Sequence, residues 1–144
     1  MSMVQLPITD ASFIVDLIPQ KWPFVMVDKL YGFSENEIIS GLTIKEENLL
    51  YFGNEFTEPG LMENMAQTVA MHKGYTYYLK NEPAPVGYIG AIKKAEIYAL
   101  PKLGDELRTT VTILHDIMGV TLVKAKIECN QKIIATSEIK TALA

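Results

Sequence analysis

Glu63 is the side chain of this sequence best placed to do chemistry. It falls in the run Glu58-Pro59-Gly60-Leu61-Met62-Glu63-Asn64-Met65-Ala66-Gln67, where Pro59-Gly60 opens a helical pattern that continues to Leu79. Between Pro59 and Leu79 the only formal charges are Glu63 and Lys73. A helix with so little charge has no solvated face of its own and must be wrapped by other structure. An ionised carboxylate inside that wrapping is costly unless it is paired or hydrogen-bonded, so Glu63 is a candidate acid, base or nucleophile. The structural alternative is that it only complements the positive end of the helix macrodipole.

At about 100° per residue, Leu61, Met65, Val69, His72, Thr76 and Leu79 project to one side of this helix. Glu63, Ala66, Gln67, Ala70 and Gly74 project to the other. The second side is small and polar rather than charged, which suits a close-packed interface or a substrate wall.

Other reactive side chains are few. His72 follows Glu63 by nine residues, which puts it roughly 13 Å along the helix and on the opposite side. It reads as a packed core or interface histidine. His115 approaches the Met118-Gly119 turn and reads as a partly exposed strand end. Cys129 is the one cysteine, so no intramolecular disulfide is possible, and no Cys/His spacing for a metal is present. Lys93-Lys94, with Lys21 and Lys102, could present a positive rim to an acidic partner, but solvated lysines are the plainer reading. Tyr75, Tyr77 and Tyr78 read as core aromatics at a helix end, with an acyl tunnel or a dimer seam as alternatives.

The elements that must position Glu63 follow from pattern. Thr9-Asp10-Ala11-Ser12 offers N-cap residues ahead of Phe13, Ile14, Leu17 and Ile18, predicting a short helix ended by Pro19 that acts as a lid or strap and is not part of the core. Phe24 to Leu30 and Glu37 to Ile44 are β-rich runs joined by a hairpin at Gly32 to Asn36. A polar connection, Lys45 to Thr57, leads into the long helix, which Asn81-Glu82-Pro83-Ala84-Pro85 breaks. Four more strands are expected at Val86 to Ala99, Glu106 to Asp116, Val120 to Cys129 and Ile133 to Thr141. Hairpin-length links imply an antiparallel sheet, and a curved sheet wrapped around one apolar helix satisfies this order.

Length and composition narrow the function classes. The chain of 144 residues, 49% hydrophobic and 21% charged, is of single-domain size and is read as one domain over 1–144. A net charge of -4 argues against nucleic-acid binding, which needs a basic surface. The opening MSMVQLPITD lacks a basic segment followed by an apolar run, and the 59–79 stretch is too polar for a membrane span. A cytoplasmic protein that does not enter a membrane is the expectation.

Three ordered segments carry a likeness to a known family. They are Leu17-Ile18-Pro19-Gln20-Lys21-Trp22-Pro23-Phe24-Val25-Met26-Val27-Asp28-Lys29, Pro59-Gly60 with Glu63-Asn64-Met65-Ala66-Gln67, and Tyr88-Ile89-Gly90-Ala91-Ile92 followed by Gly104-Asp105-Glu106-Leu107. Together they resemble the (3R)-hydroxyacyl-[acyl-carrier-protein] dehydratases of the FabZ/FabA type. That family has Leu-Pro-His-Arg-x-Pro-Phe-Leu-Leu-Val-Asp, Pro-Gly with Glu-Ala-Met-Ala-Gln, Tyr-x-x-Gly-Ile and Pro-Gly-Asp-x-Leu in this order. The resemblance implies an α+β hotdog fold, a curved antiparallel sheet around one long central helix. It also implies a homodimer or larger assembly with tunnels at the subunit interface, which admit an acyl chain carried on phosphopantetheine of an acyl carrier protein or on coenzyme A. No further cofactor and no metal are implied.

In the family a His and a Glu or Asp from opposite subunits remove water from a 3-hydroxyacyl thioester, while helix N-terminal amides polarise the thioester carbonyl. Carried over, Glu63 is the catalytic carboxylate, the Gly60 and Leu61 amides lie near the carbonyl, Gln67 belongs to the substrate site, and Tyr88, Ile89 and Gly90 line the tunnel. The sequence departs from the family at the histidine of its Gly-His-Phe-Pro-Gly loop. Here Gly53-Asn54-Glu55-Phe56-Thr57 stands in a shorter loop, and Asn54 is the nearest counterpart. An amide does not titrate, so Asn54 can orient a group but cannot abstract a proton.

The resulting expectation is a dehydratase-like protein of lipid, fatty-acid or polyene biosynthesis, with Glu63 as acid/base and Asn54 as an orienting group. Two alternatives stand beside it. One is an acyl thioesterase using Glu63. The other is a non-catalytic acyl-binding subunit that forms a heterodimer with an active relative.

Overall fold

The computed structural model describes residues 6–143. Its elements in chain order are α1 (Ala11–Val15), β1 (Lys29–Ser34), β2 (Glu37–Thr43), β3 (Tyr51–Phe52), β4 (Glu55–Phe56), α2 (Glu58–Leu79), β5 (Gly87–Ile97), β6 (Glu106–Ile117), β7 (Val120–Cys129) and β8 (Lys132–Leu143). Six strands form one antiparallel sheet in the order β1-β2-β6-β7-β8-β5, and β3 and β4 pair separately. The long helix lies in the sheet's concavity, so the fold is an α+β hotdog.

Period-two patterning builds the wrapping face. Along β7, Thr121, Val123, Ala125, Ile127 and Cys129 are buried, while the residues between them are partly or fully exposed. Ile38, Leu107, Val111, Ile139 and these β7 residues close over Leu61, Met65 and Met71 of α2. Tight turns set the register: Met118-Gly119 and Asn130-Gln131 have positive φ at both positions, the backbone of two-residue hairpins. At the end of α2, Asn81 takes φ 57°, and the Asn81 and Glu82 amides return to the Tyr78 and Tyr77 carbonyls. That double return closes the helix in a Schellman motif.

The short helix and the first strand differ in part from expectation. Asp10 caps α1 through its side chain, which accepts from the Ser12 amide at 3.0 Å. The chain beyond α1 then crosses α2 at Gly74, where an added Cβ would collide with the Leu17 carbonyl oxygen. The strand expected from Phe24 begins only at Lys29. Residues 24–26 are instead held by side chains of α2, described below, and so join no sheet ladder there. The β1–β2 turn is also tighter than expected, since β1 runs on through Ser34 and only Glu35 and Asn36 connect it to β2.

The strap and aromatic readings need correction: Ile14, Leu17 and Ile18 are buried in the core, and of the three tyrosines only Tyr75 is buried, with Tyr77 half-buried and Tyr78 exposed. Tyr75 meets Phe33 edge-on at 4.8 Å, and Phe33 stacks on His72 at 5.0 Å, forming a core cluster at the far end of α2. His115 is exposed on β6, opposite Leu122. One sheet edge is uncovered. Only Ala91 and Ile97 of β5 are even partly buried, and Tyr88, Ile89, Ile92 and Tyr98 stand exposed. Among the described residues no helix is long and apolar enough to cross a membrane, which leaves β-barrel insertion unaddressed.

Candidate active site

The wrapped helix carries its polar residues in a buried network. Gln67, fully buried, accepts from the Met26 amide at 2.7 Å, donates to the Phe24 carbonyl at 2.8 Å and donates to Glu63 Oε1 at 3.0 Å. Asn64, also fully buried, donates to the Met26 carbonyl at 2.8 Å and accepts from Thr109 Oγ1 at 2.6 Å. Thr68 Oγ1 donates to the Asn64 carbonyl at 2.8 Å and shares a 2.7 Å hydrogen bond with Ser40 Oγ. Two carboxamides therefore clamp residues 24–26 to the first turns of α2. Each satisfies backbone groups that the apolar interior would otherwise leave unpaired.

This clamp places Glu63. Its carboxylate is half-buried at the wall of an open cleft of about 430 Å³, lined also by Gln20, Lys21, Phe24, Met26, Leu49 and Leu50. Apart from Gln20, Lys21 and Glu63 the lining is apolar. The Lys21 ammonium is engaged elsewhere, donating to the Val15 and Ile18 carbonyls at 2.7 and 3.0 Å. The sequence connects Glu63 with Gln67 through the helix, but it does not mark the residues from Gln20 to Met26 as a wall of the same site. Their signal lies in the segment that carries the resemblance. Leu49 and Leu50 lie in what reads as a polar connection and have no comparable signal.

Gly60 and Leu61 divide the work expected of them. The Leu61 amide donates to the Thr57 carbonyl at 3.1 Å, so it is engaged in the helix's first hydrogen bond. Thr57 offers no side-chain cap, because its hydroxyl donates to the Leu50 carbonyl at 2.7 Å. The donors that the helix end keeps available are therefore those ahead of Leu61, with Gly60 the nearest to Glu63. Gly60 also has a packing reason to lack a side chain: a Cβ there would lie 2.5–2.8 Å from three ring atoms of the fully buried Phe56.

The remaining expected site residues are not brought to this cleft within one chain. Gly53 and Asn54, with φ of 64° and 66°, form the two-residue turn between β3 and β4, and Asn54 is exposed at its tip. The positive φ suits Gly and Asn and gives position 54 a turn-forming task. Tyr88, Ile89 and Gly90 lie on the uncovered β5 edge and do not line the cleft. The helix side expected to be small and polar is also divided. Gln67 and Gly74 are buried inside the chain, whereas Glu63, Ala66, Ala70, Lys73 and Tyr77 form a half-buried line along α2. No cluster of His, Cys, Asp or Glu suited to a metal occurs among the described residues.

A long central helix wrapped by one antiparallel sheet, with a carboxylate in its second turn at a mostly apolar cleft, defines a hotdog protein with a candidate acid/base. Comparison with known proteins gives the family. Residues 13–143 match the ApeP-like family, described as ApeP dehydratase, and the chain belongs to it. It is 30% identical over 144 residues to the 3-hydroxyacyl-[acyl-carrier-protein] dehydratase FabZ of Lactobacillus helveticus, covering 93% of each chain. It is 27% identical over 141 residues to the FabZ of Desulfotalea psychrophila, covering 91% of each. Its fold is similar to that of a chain in the dehydratase heterocomplex ApeI:P from Xenorhabdus doucetiae. There the TM-score is 0.85 at 16% identity, covering 98% of this chain and 93% of that one.

Proposed function

We propose that this protein is one half of a two-chain dehydratase acting on 3-hydroxyacyl thioesters carried by acyl carrier protein, with Glu63 as its acid and a histidine of a related chain as the base. The observation that carries this reading is the asymmetry of the site. Glu63 is fixed by Gln67 at the wall of an apolar cleft, whereas Asn54, nearest to the expected base position, is an amide at an exposed turn. If two copies of this chain pair, both composite sites contain a carboxylate and neither contains a base. Pairing with a histidine-bearing relative completes one of them. The uncovered β5 edge and the half-buried line from Glu63 to Tyr77 are the surfaces such a partner would cover. The similarly folded Xenorhabdus doucetiae chain belongs to a dehydratase heterocomplex, which supports pairing between unlike chains.

In the completed site the partner's imidazole removes the C2 proton of the substrate. The C3–O bond breaks, the departing oxygen takes a proton from Glu63, water leaves, and the C2=C3 double bond forms. The Gly60 amide is the donor available to the thioester carbonyl, where negative charge develops. The missing base also favours a second reading, thioester hydrolysis with Glu63 activating water or attacking directly.

The test is to assay the chain alone, and co-purified with a histidine-bearing dehydratase of the same organism, for hydration of an enoyl thioester and for release of free thiol. Hydration by the pair, little by the chain alone, and loss of the chain's contribution in Glu63→Gln are expected. Equal hydration by chain and pair, or thiol release that depends on Glu63, overturns the reading.

A further inference from the structure

We infer that Leu49 selects the acyl tail of the substrate, an inference that rests on the dehydratase reading of the Glu63 cleft. Leu49 lies on the connection between β2 and β3 and lines the cleft. It and Phe24 are the exposed apolar side chains of that lining, 45% and 58% accessible. A single exposed leucine is ordinary. This one stands on a pinned turn. The Asn48 amide donates to the Lys45 carbonyl at 3.1 Å, the Tyr51 amide to the Asn48 carbonyl at 3.0 Å, and the Leu50 amide to Asn48 Oδ1 at 2.9 Å. The Leu50 carbonyl accepts from the Thr57 amide at 3.0 Å and from Thr57 Oγ1 at 2.7 Å. Thr57 thus gives up the side-chain cap that its place ahead of α2 invites, and the residues on both sides of Leu49 are fixed. An apolar side chain ordered before any ligand arrives loses less entropy on binding than a mobile one.

Two parts of the substrate extend from the reacting carbons: the pantetheine arm and the acyl tail beyond C3. The arm carries amides, which need hydrogen-bond partners wherever they leave water. The polar groups of the cleft offer few. Lys21 directs its ammonium to the Val15 and Ile18 carbonyls, Gln20 Oε1 is sealed from solvent, and Glu63 serves the departing oxygen. Phe24, Met26, Leu49 and Leu50 make up the rest of the wall. A hydrocarbon tail needs no hydrogen bond there, and its affinity rises by about fourfold for each methylene fully buried. The cleft therefore suits the tail, and Leu49 is an exposed, fixed surface against which a longer tail can lie.

The test uses two pantetheine thioethers, one with a 3-hydroxybutyl and one with a 3-hydroxyoctyl chain, which share the arm, the sulfur and the hydroxyl and differ only in the tail. Neither has a carbonyl to acidify C2, so neither loses water. Binding to the full chain is measured by calorimetry for wild type, Leu49→Ala and Leu49→Met, since the named residues line the cleft within one chain. Wild type is expected to bind the octyl ligand roughly fifteenfold more tightly, the added methylenes each giving about half their full gain in an open cleft. Leu49→Ala should weaken the octyl ligand about fivefold and leave the butyl ligand within about twofold. Leu49→Met, which conserves volume, should keep the octyl affinity. Equal weakening of both ligands in Leu49→Ala puts the arm in the cleft and overturns the inference, as does an unchanged octyl affinity in that variant or equal binding of both ligands by wild type. Failure of wild type to bind either ligand overturns the acyl-thioester reading of the cleft itself.

Discussion

Replacing Gln67 by Met, which is similar in length and lacks both donor and acceptor, tests whether this residue binds substrate or holds the site together. Gln67 is fully buried and its three hydrogen bonds reach Met26, Phe24 and Glu63. Met26 is 1% exposed, so its amide would be left without protein or solvent, at a cost of about 1–3 kcal/mol. The Phe24 carbonyl is only partly buried and can turn to water, and the half-buried Glu63 carboxylate can do the same, so these add less. A total of roughly 3 kcal/mol follows, or a fall in Tm of roughly 10 °C for a chain of this size. Urea denaturation should show a lower midpoint at unchanged slope. If stability stays within about 0.5 kcal/mol of wild type while KM rises, the residue is a substrate ligand and the clamp contributes nothing.

Three further outcomes are expected. Gly74→Ala should destabilise by roughly 3 kcal/mol despite the better helix propensity of Ala, because the new methyl meets the Leu17 carbonyl, and thermal melting will report it. Burial holds the pKa of the His72 imidazole below its ordinary value, against a raising effect of the Ser34 carbonyl that Nε2 contacts at 2.9 Å. The unfolded chain therefore takes up the proton first. Stability should be full above pH of about 6.5 and decline below it, and His72→Gln should flatten that decline in pH-dependent melts. Burial, assisted by Asp105, pushes the Cys129 thiol up to about 11, so the native protein should resist iodoacetamide at pH 8 and become alkylated on unfolding.

Local pattern reveals those elements whose boundaries local chemistry decides. The long helix is expected from Pro59 to Leu79 and spans Glu58–Leu79, because Pro59-Gly60 and the Asn81 turn sit at its two ends. The strand Val120–Cys129 agrees at both ends, since two-residue turns bound it. Phe24 to Asp28 reads as strand and is not, because Gln67 and Asn64 hold its backbone from about 40 residues away, a separation with no local signature. The β3–β4 hairpin has a signal in Gly53-Asn54, but the likeness to a histidine loop masks it by casting Asn54 as chemistry. Glu63 is legible because a charge stands out in an uncharged helix. The role of Asn64 is not, since the family segment has Ala there and the partner, Thr109, lies on a distant strand.

The bare β5 edge bears on how much of this protein a cell can keep. A lone chain displays unpaired strand amides and carbonyls flanked by Tyr88, Ile89, Ile92 and Tyr98, a template on which any extended peptide can add. Whatever covers that edge binds the folded chain alone and so raises its stability by mass action. Copies made in excess of their covering chain stay nearer the folding threshold and closer to proteases and chaperones. On the proposed pairing of unlike chains, abundance is set by the scarcer member, and matched levels emerge through clearance of the surplus even when synthesis is unequal.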